Sequence, residues 1–316
     1  MGALVGLAAC GDGGQAGGSG DDRPQVVVTT SILGDIVSEV VGAQGEVEVV
    51  MPLGTDPHEF QTSARQVEAM TEAELLVING AGFEEGMLDV IETAAESGTP
   101  VFAFADHVDL LPWTGQHEED GPPVDGDHRA GSGEGYEDAG HDPHIWTDPA
   151  RMITALEAFG ERAADLVGVD PQAVASQTAD YVARLEALDA EIEHTLASVP
   201  ADRRTLVTNH EVFHYFATRY GFEIVGAVIP SLTTNAEASA ADLAMLADVV
   251  RAEGVPAIFA ETTRSTQLAD TLAQAAGGDV EVVELFTESL GGPGSGAETY
   301  TEMMRANARL VTDALR

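Results

Sequence analysis

Lysine is absent from the 316 residues. All 14 basic side chains are arginine, set against 54 Asp and Glu, for a formal net charge of −40 at pH 7. That balance excludes a surface built to hold nucleic acid or anionic lipid, and it weakly concentrates cations. The acids run along the whole chain, as salt adaptation or GC-rich coding would leave them, rather than forming one acidic tail. Cysteine is nearly absent too, and the single residue, Cys10, excludes a disulfide within the chain. No apolar run is long enough to cross a bilayer as a helix. A hydrophobic content of 44% with 34 glycines suits an α/β protein large enough for two lobes.

The lone cysteine has an informative setting. Leu7-Ala8-Ala9-Cys10 closes a short apolar run and opens a polar, Gly-rich stretch that lasts to Arg23. The pattern resembles a bacterial lipoprotein lipobox, in which Cys10 would be lipidated and become the mature N-terminus. No basic residue precedes the run, a departure that points to a start further upstream. Residues 1–23 therefore read as signal remnant and flexible tether.

Beyond the tether, strand-like and helix-like segments alternate, the rhythm of parallel sheets with crossover helices. QVVVTTS, EVEVVMP, ELLVING and PVFAFA read as strands of a first lobe over 24–170, with helices near 32–41, 63–70 and 84–95. RTLVT, FEIVGAVI, VPAIFAE and VEVVELF repeat the pattern over 200–316, with helices near 211–219, 237–253, 265–276 and 297–315. Between them, Val174, Thr178, Tyr181, Leu185, Leu188, Ile192 and Leu196 recur at steps of three and four. With Pro171 at the first turn and Pro200 beyond the end, the spacing predicts a connecting helix within 171–199 of about seven turns. Such a stiff connector allows less hinge opening than flexible strands would. The expected architecture is thus two doubly wound α/β lobes joined by a long rigid helix. Residues 114–141 lack any periodicity and carry His117, His128 and His141 among many acids. Such a long loop inside a domain is either functional or unstructured.

Four places supply candidate metal ligands. His58 lies in GTDPHEF and His144 in HDPHIWTDP, both inside the same Asp-Pro-His tripeptide; His210 follows the strand RTLVT, and Glu288 follows VEVVELF. Ligands of open α/β sheets gather at the carboxyl ends of strands, so a metal held by these groups would sit in the cleft between the lobes. His210-Glu211-Val212-Phe213-His214 also spells H-E-x-x-H, the zinc-peptidase signature. That motif needs one helix running through both histidines, whereas Asn209 suits an N-cap that leaves His210 at the mouth of a short helix. The match therefore reads as accidental, with the metallopeptidase as a remote alternative.

Taken in order, GTDPHEF, VINGAGFEEGM, DPHIWTDP, LVTNHEVFHYFATRYGFEIVG, IFAETTRST and ESLGGPGSGAETYTEMMRANARLV resemble the metal-binding solute-binding lipoproteins of ATP-binding-cassette importers for zinc and manganese, over nearly the whole chain after the tether. The resemblance implies two lobes bridged by a long helix, with a transported ion held by His58, His144, His210 and Glu288. It also implies an extracytoplasmic protein anchored through Cys10, acting as a monomer that delivers its ion to a cognate permease without catalysis. The family usually carries aspartate in the last motif; Glu288 is a methylene longer, and either ligates at a different reach or leaves the fourth place to water. Three imidazoles and one carboxylate favour Zn²⁺ over Mn²⁺, which prefers more oxygen. A manganese-type protein and a metal-binding adhesin remain as alternatives. Glu59 and Glu261 are candidates for orienting imidazole N–H groups. His117, His128 and His141 are candidates for weak capture in the acidic loop. Binding needs neutral imidazoles and is expected to weaken below ~6.5.

Overall fold

The structure is a computed structural model that describes residues 23–113, 140–277 and 279–316; Cys10, its tether, His117 and His128 lie outside the described residues. All eight strand segments form. Strands β1 (Gln25–Val28), β2 (Glu46–Val49), β3 (Leu75–Ile78) and β4 (Val101–Ala103) make one parallel sheet in the order β2-β1-β3-β4. Strands β5 (Thr205–Thr208), β6 (Glu223–Ala227), β7 (Ala257–Glu261) and β8 (Glu281–Leu285) repeat that order as β6-β5-β7-β8, again all parallel. The continuous apolar runs of β1 and β3 are almost wholly buried, as parallel strands covered on both faces require. In each sheet the chain leaves the first strand toward one side and returns on the other. The resulting switch point lies at the carboxyl ends, where loops can form a crevice.

Helices α1 (Ser31–Val41), α2 (Ala64–Glu72) and α3 (Leu88–Glu96) belong to the first sheet. The third starts four residues later than the sequence suggests. The Glu84 carboxylate turns back to accept Asn79 N at 2.6 Å, Gly80 N at 3.2 Å and Thr29 Oγ1 at 2.7 Å, so the chain wraps around it instead of starting a helix. Ala81 takes φ 52° inside that wrap, a left-handed conformation rare for a residue with a Cβ.

Helix α4 (Pro149–Ala164) was not anticipated. Its signals are nonetheless present: Asp148 caps Ala150 N at 2.9 Å, Pro149 sits in the first turn, and Met152, Ala155, Leu156, Phe159 and Ala163 form a buried stripe. Helix α5 (Pro171–Leu196) is the connector, and all seven stripe residues named from the sequence are buried. Its 26 residues span about 39 Å at the α-helical rise. It lies against α4 and α1 on one side of the cleft, and against α9 (Tyr300–Leu315), which follows the second sheet. A single hydrophobic cluster therefore runs from β1 through α4 and α5 into α9. The remaining helices are α6 (His214–Tyr220), α7 (Ala240–Glu253) and α8 (Gln267–Ala276). Among the described residues no helix is long and apolar enough to cross a membrane.

The close crossing of α4 on α5 depends on Gly160, where an added Cβ would stand 2.5 Å from Thr178 Oγ1 and 2.8 Å from its Cγ2. Gly160→Ala should therefore lower stability by about 1–3 kcal/mol through overpacking, despite the better helix propensity of alanine. Adding Thr178→Ala should recover most of the loss. Denaturant midpoints check this; a Gly160→Ala chain as stable as the parent would contradict the tight crossing.

Candidate metal centre

Each of the four candidate residues is fixed by its local turn. His58 follows β2, its N–H donated to Asp56 Oδ1 at 3.0 Å and its carbonyl accepting from Asn235 Nδ2 at 3.1 Å. His144 repeats the first contact, donating its N–H to Asp142 Oδ1 at 2.9 Å. In both tripeptides the aspartate side chain closes a turn onto the residue two places on. His210 lies two residues past β5, its carbonyl accepting from Thr208 Oγ1 at 2.7 Å. Glu288 sits in a bend three residues past β8. Trp146 Nε1 reaches Thr287 O at 2.6 Å, and Gly54 N reaches Ser289 Oγ at 2.8 Å, so bonds from the first lobe flank it.

These turns bring one ligand atom from each of His58, His144, His210 and Glu288 within 4.8 Å of one another, all four side chains buried. Glu288 Oε1 lies 3.0 Å from His58 Nε2, 3.3 Å from His210 Nε2 and 3.9 Å from His144 Nε2. His144 Nε2 and His210 Nε2 are 3.2 Å apart. Neither Glu288 oxygen and neither ring nitrogen of His58 has an aligned hydrogen-bond partner. Buried polar atoms left so are expensive unless a ligand meets them. The longer glutamate thus reaches the cluster. Phe83 walls one side, its ring centroid 5.1 Å from His58 and 5.9 Å from His144. The other ring nitrogen of each histidine faces a carboxylate. His144 Nδ1 lies 2.6 Å from Asp142 Oδ1, His210 Nδ1 bonds Glu261 Oε1, and His58 Nδ1 stands 3.3 Å from Glu85 Oε1. That is the outer arrangement which fixes metal-binding imidazoles in the tautomer presenting Nε2.

Residues 26–314 match the family of the zinc-uptake complex component A, periplasmic, ZnuA. The chain belongs to this family. It is 30% identical over 301 residues to the zinc-binding protein TroA of Treponema pallidum, covering 93% of this chain and 90% of that one. It is 28% identical over 317 residues to the manganese-binding lipoprotein MntA of Halalkalibacterium halodurans, covering 99% and 96%. The solved structure of the periplasmic zinc-binding TroA superposes with a TM-score of 0.79 at 29% identity, covering 93% of this chain and 99% of that one. Membership makes the protein a metal-binding substrate-binding component of an importer rather than an enzyme, and the two-lobe fold agrees with it.

The H-E-x-x-H stretch does not form a zincin helix. Val212 N returns to His210 O at 2.9 Å, Glu211 N goes to Ser231 O at 3.0 Å, and α6 begins only at His214. His214 instead bridges two acids, Asp142 Oδ2 at 2.9 Å and Glu211 Oε2 at 3.1 Å. Of the two suggested orienting residues, Glu261 faces His210, but Glu59 does not face an imidazole. It is half-exposed and pairs with Arg264 Nη1 at 2.9 Å. Asp142 and Glu85 take up the orienting positions that were missed. Asp142 had a signal, its place two residues before His144 in the repeated tripeptide; Glu85 had none, because its contact depends on how the turn around Glu84 folds. His141, a candidate for weak capture in the loop, bridges Pro112 through its backbone in an antiparallel pair.

The buried charges set the proton balance. Burial weighs against a charge on His58, yet the Glu288 and Glu85 carboxylates outweigh it and push its pKa up to about 9. His210 is likewise raised, with Glu261 and Glu288 overcoming burial, whereas burial holds His144 below its ordinary value. Burial alone would raise Glu288, but His210 and His58 hold it well below the usual carboxylate range. A cation needs free Nε2 lone pairs, so at pH 7 it must displace protons from His58 and His210. Competition by protons therefore extends from acid pH up to about 9 for His58, well above the ~6.5 of a free imidazole. Titration calorimetry in buffers of different ionisation enthalpy should report on the order of two protons released per ion at pH 7. Release should diminish as pH rises through 9; binding without proton release at pH 7 would contradict this balance.

Proposed function

We propose that the protein captures Zn²⁺ outside the cytoplasm, tethered to the membrane through Cys10, and hands it to the permease of an ATP-binding-cassette importer. The observation that carries this reading is the convergence of three Nε2 atoms and one carboxylate oxygen within 4.8 Å. In this reading His58, His144, His210 and Glu288 are the ligands, and Asp142, Glu261 and Glu85 orient the rings. A compact, nitrogen-rich, four-donor set suits the tetrahedral preference of zinc. The name of the zinc-binding TroA supports the choice of ion, and that of the lipoprotein MntA supports only the membrane tether. Residues 24–170 and 200–316 act as the two halves that enclose the ion, with 171–199 as a spacer. The acidic segment 114–141 adds weak capture of cations ahead of the tight site.

A manganese reading has one observation in its favour besides the name of MntA. Both Glu288 oxygens lack hydrogen-bond partners, so both are available to an ion of higher coordination number. Competitive titration of purified protein with Zn²⁺ and Mn²⁺, repeated on His210→Glu, separates the two. The parent should hold zinc at least about a hundredfold more tightly, and the substitution, which exchanges a nitrogen for oxygen donors, should shrink that margin. A parent that prefers manganese ends the zinc assignment.

A further inference from the structure

Two aspartates stand just outside the metal centre and reach across the cleft. Asp56 and Asp142 each open an Asp-Pro-His tripeptide, and each spends Oδ1 on the N–H of its own histidine. The outer oxygen points to the second lobe. Asp56 Oδ2 accepts from Arg264 Nη1 at 2.7 Å and from Thr234 Oγ1 at 2.8 Å. Asp142 Oδ2 meets His214 Nδ1 at 2.9 Å. Arg264 lies three residues past the end of β7, and His214 opens α6, so two separate elements of the second lobe grip two separate histidine turns of the first. Both aspartates are buried, at 8% and 1% exposure, while the Arg264 and His214 side chains remain 26% and 32% exposed. The contacts thus sit at the rim of the cleft, between the enclosed ion and solvent. Burial disfavours charge on His214, but the Asp142 and Glu211 carboxylates push its pKa up to about 9, so both grips are charge-assisted at neutral pH.

We propose that Arg264 and His214 are paired interlobe clasps that set the rate at which the bound cation leaves. Each holds one ligand-bearing turn against the opposite lobe through the outer oxygen of its aspartate. The inference rests on the metal-capture reading and adds to it two positioning residues that touch no metal. For the ion to leave, the His58 or the His144 turn must part from the second lobe, and the continuous core along the connector resists a wide hinge opening. The rim contacts add charge-assisted resistance to neutral cross-lobe bonds such as Asn235 Nδ2 to His58 O and Tyr215 Oη to Asp142 O. They bias the population toward the closed arrangement, and removing one raises the fraction that opens without altering the donors.

The test is a chelator chase of metal-loaded protein, with the parent's uptake of Zn²⁺ and its Co²⁺ absorption spectrum measured first. Arg264→Met and His214→Leu should each release Zn²⁺ about tenfold faster, since truncating one partner of a hydrogen-bonded charge pair acts mainly on dissociation. The double variant should exceed either. The Co²⁺ spectrum, which reports the ligand set, should stay that of the parent in all three. Arg264→Lys retains the charge, and His214→Asn retains a donor where Nδ1 stands; both should keep release slow. That separates the clasp from a general loss of packing, which chemical denaturation midpoints monitor independently. Release at the parent's rate from Arg264→Met and His214→Leu overturns the inference, as does a changed Co²⁺ spectrum, which would put these residues in the coordination itself. A parent that takes up neither ion overturns the reading of the site, and the clasps with it.

Discussion

A carboxylate with no aligned donor, sealed among three imidazoles, is the constraint on which the rest of the structure turns. Glu288 is 1% exposed, and His58, His144 and His210 are 2%, 0% and 0% exposed. Taking such groups out of water is costly unless they meet charge, hydrogen bonds or metal. The fold therefore has to deliver four side chains from four separate turns to one point while leaving their inner atoms free. It does so by anchoring outward. Every ring has its Nδ1 toward an acid, and the backbones of two of the three are pinned by an aspartate two residues earlier. Because two of the four residues come from each lobe, the cluster spans the interface between them.

That relationship is backed by the connector. Helix α5 is a partner of the core as much as a spacer, since its buried stripe belongs to the same cluster as α4 below the first sheet and α9 below the second. Further bonds tie the two lobes around Tyr300 and Trp146. Asp35 on α1 accepts the N–H of Tyr300 at the start of α9 at 2.9 Å, and Tyr300 Oη donates to Trp146 O at 2.7 Å. Trp146 in turn donates to the carbonyl next to Glu288. A chain of hydrogen bonds thus runs from the core to the residue beside Glu288. The turns that carry His58 and His144 meet the second lobe through polar contacts at the cleft rim.

The sequence made the strands and the connector legible because their patterns are one-dimensional. A β-branched run or a stripe at steps of three and four needs no knowledge of distant partners. The four converging residues were legible for a related reason: each follows a strand or sits in the repeated Asp-Pro-His, and switch points of parallel sheets gather such loops. What escaped was set by contacts between remote segments. The start of α3 moved because Glu84 is drawn to Thr29, 55 residues away. Glu85 faces His58 only because of that wrap. Helix α4 escaped for a different reason, since its cap and stripe are local and were simply overlooked beside the irregular loop that precedes it. His214 shows the limit of motif reading. Five letters spell a peptidase signature, but Val212 and Glu211 send their N–H groups elsewhere, and the helix that would align the two histidines starts only at the second.

The electrostatics of the cleft give a physical reason for favouring a cation that can displace protons. Around the three rings stand Glu288, Glu85, Asp142 and Glu261, with Arg264 and the charged His214 committed to the aspartates of the rim. Glu288 and Glu85 raise the pKa of His58, Glu261 and Glu288 raise that of His210, and burial lowers that of His144. An arriving dication that expels the protons of His58 and His210 replaces two positive charges with two. The net charge of the site then does not change. Carboxylates behind the rings thus favour cations in general, and discrimination among dications is left to the nitrogen and oxygen donors themselves.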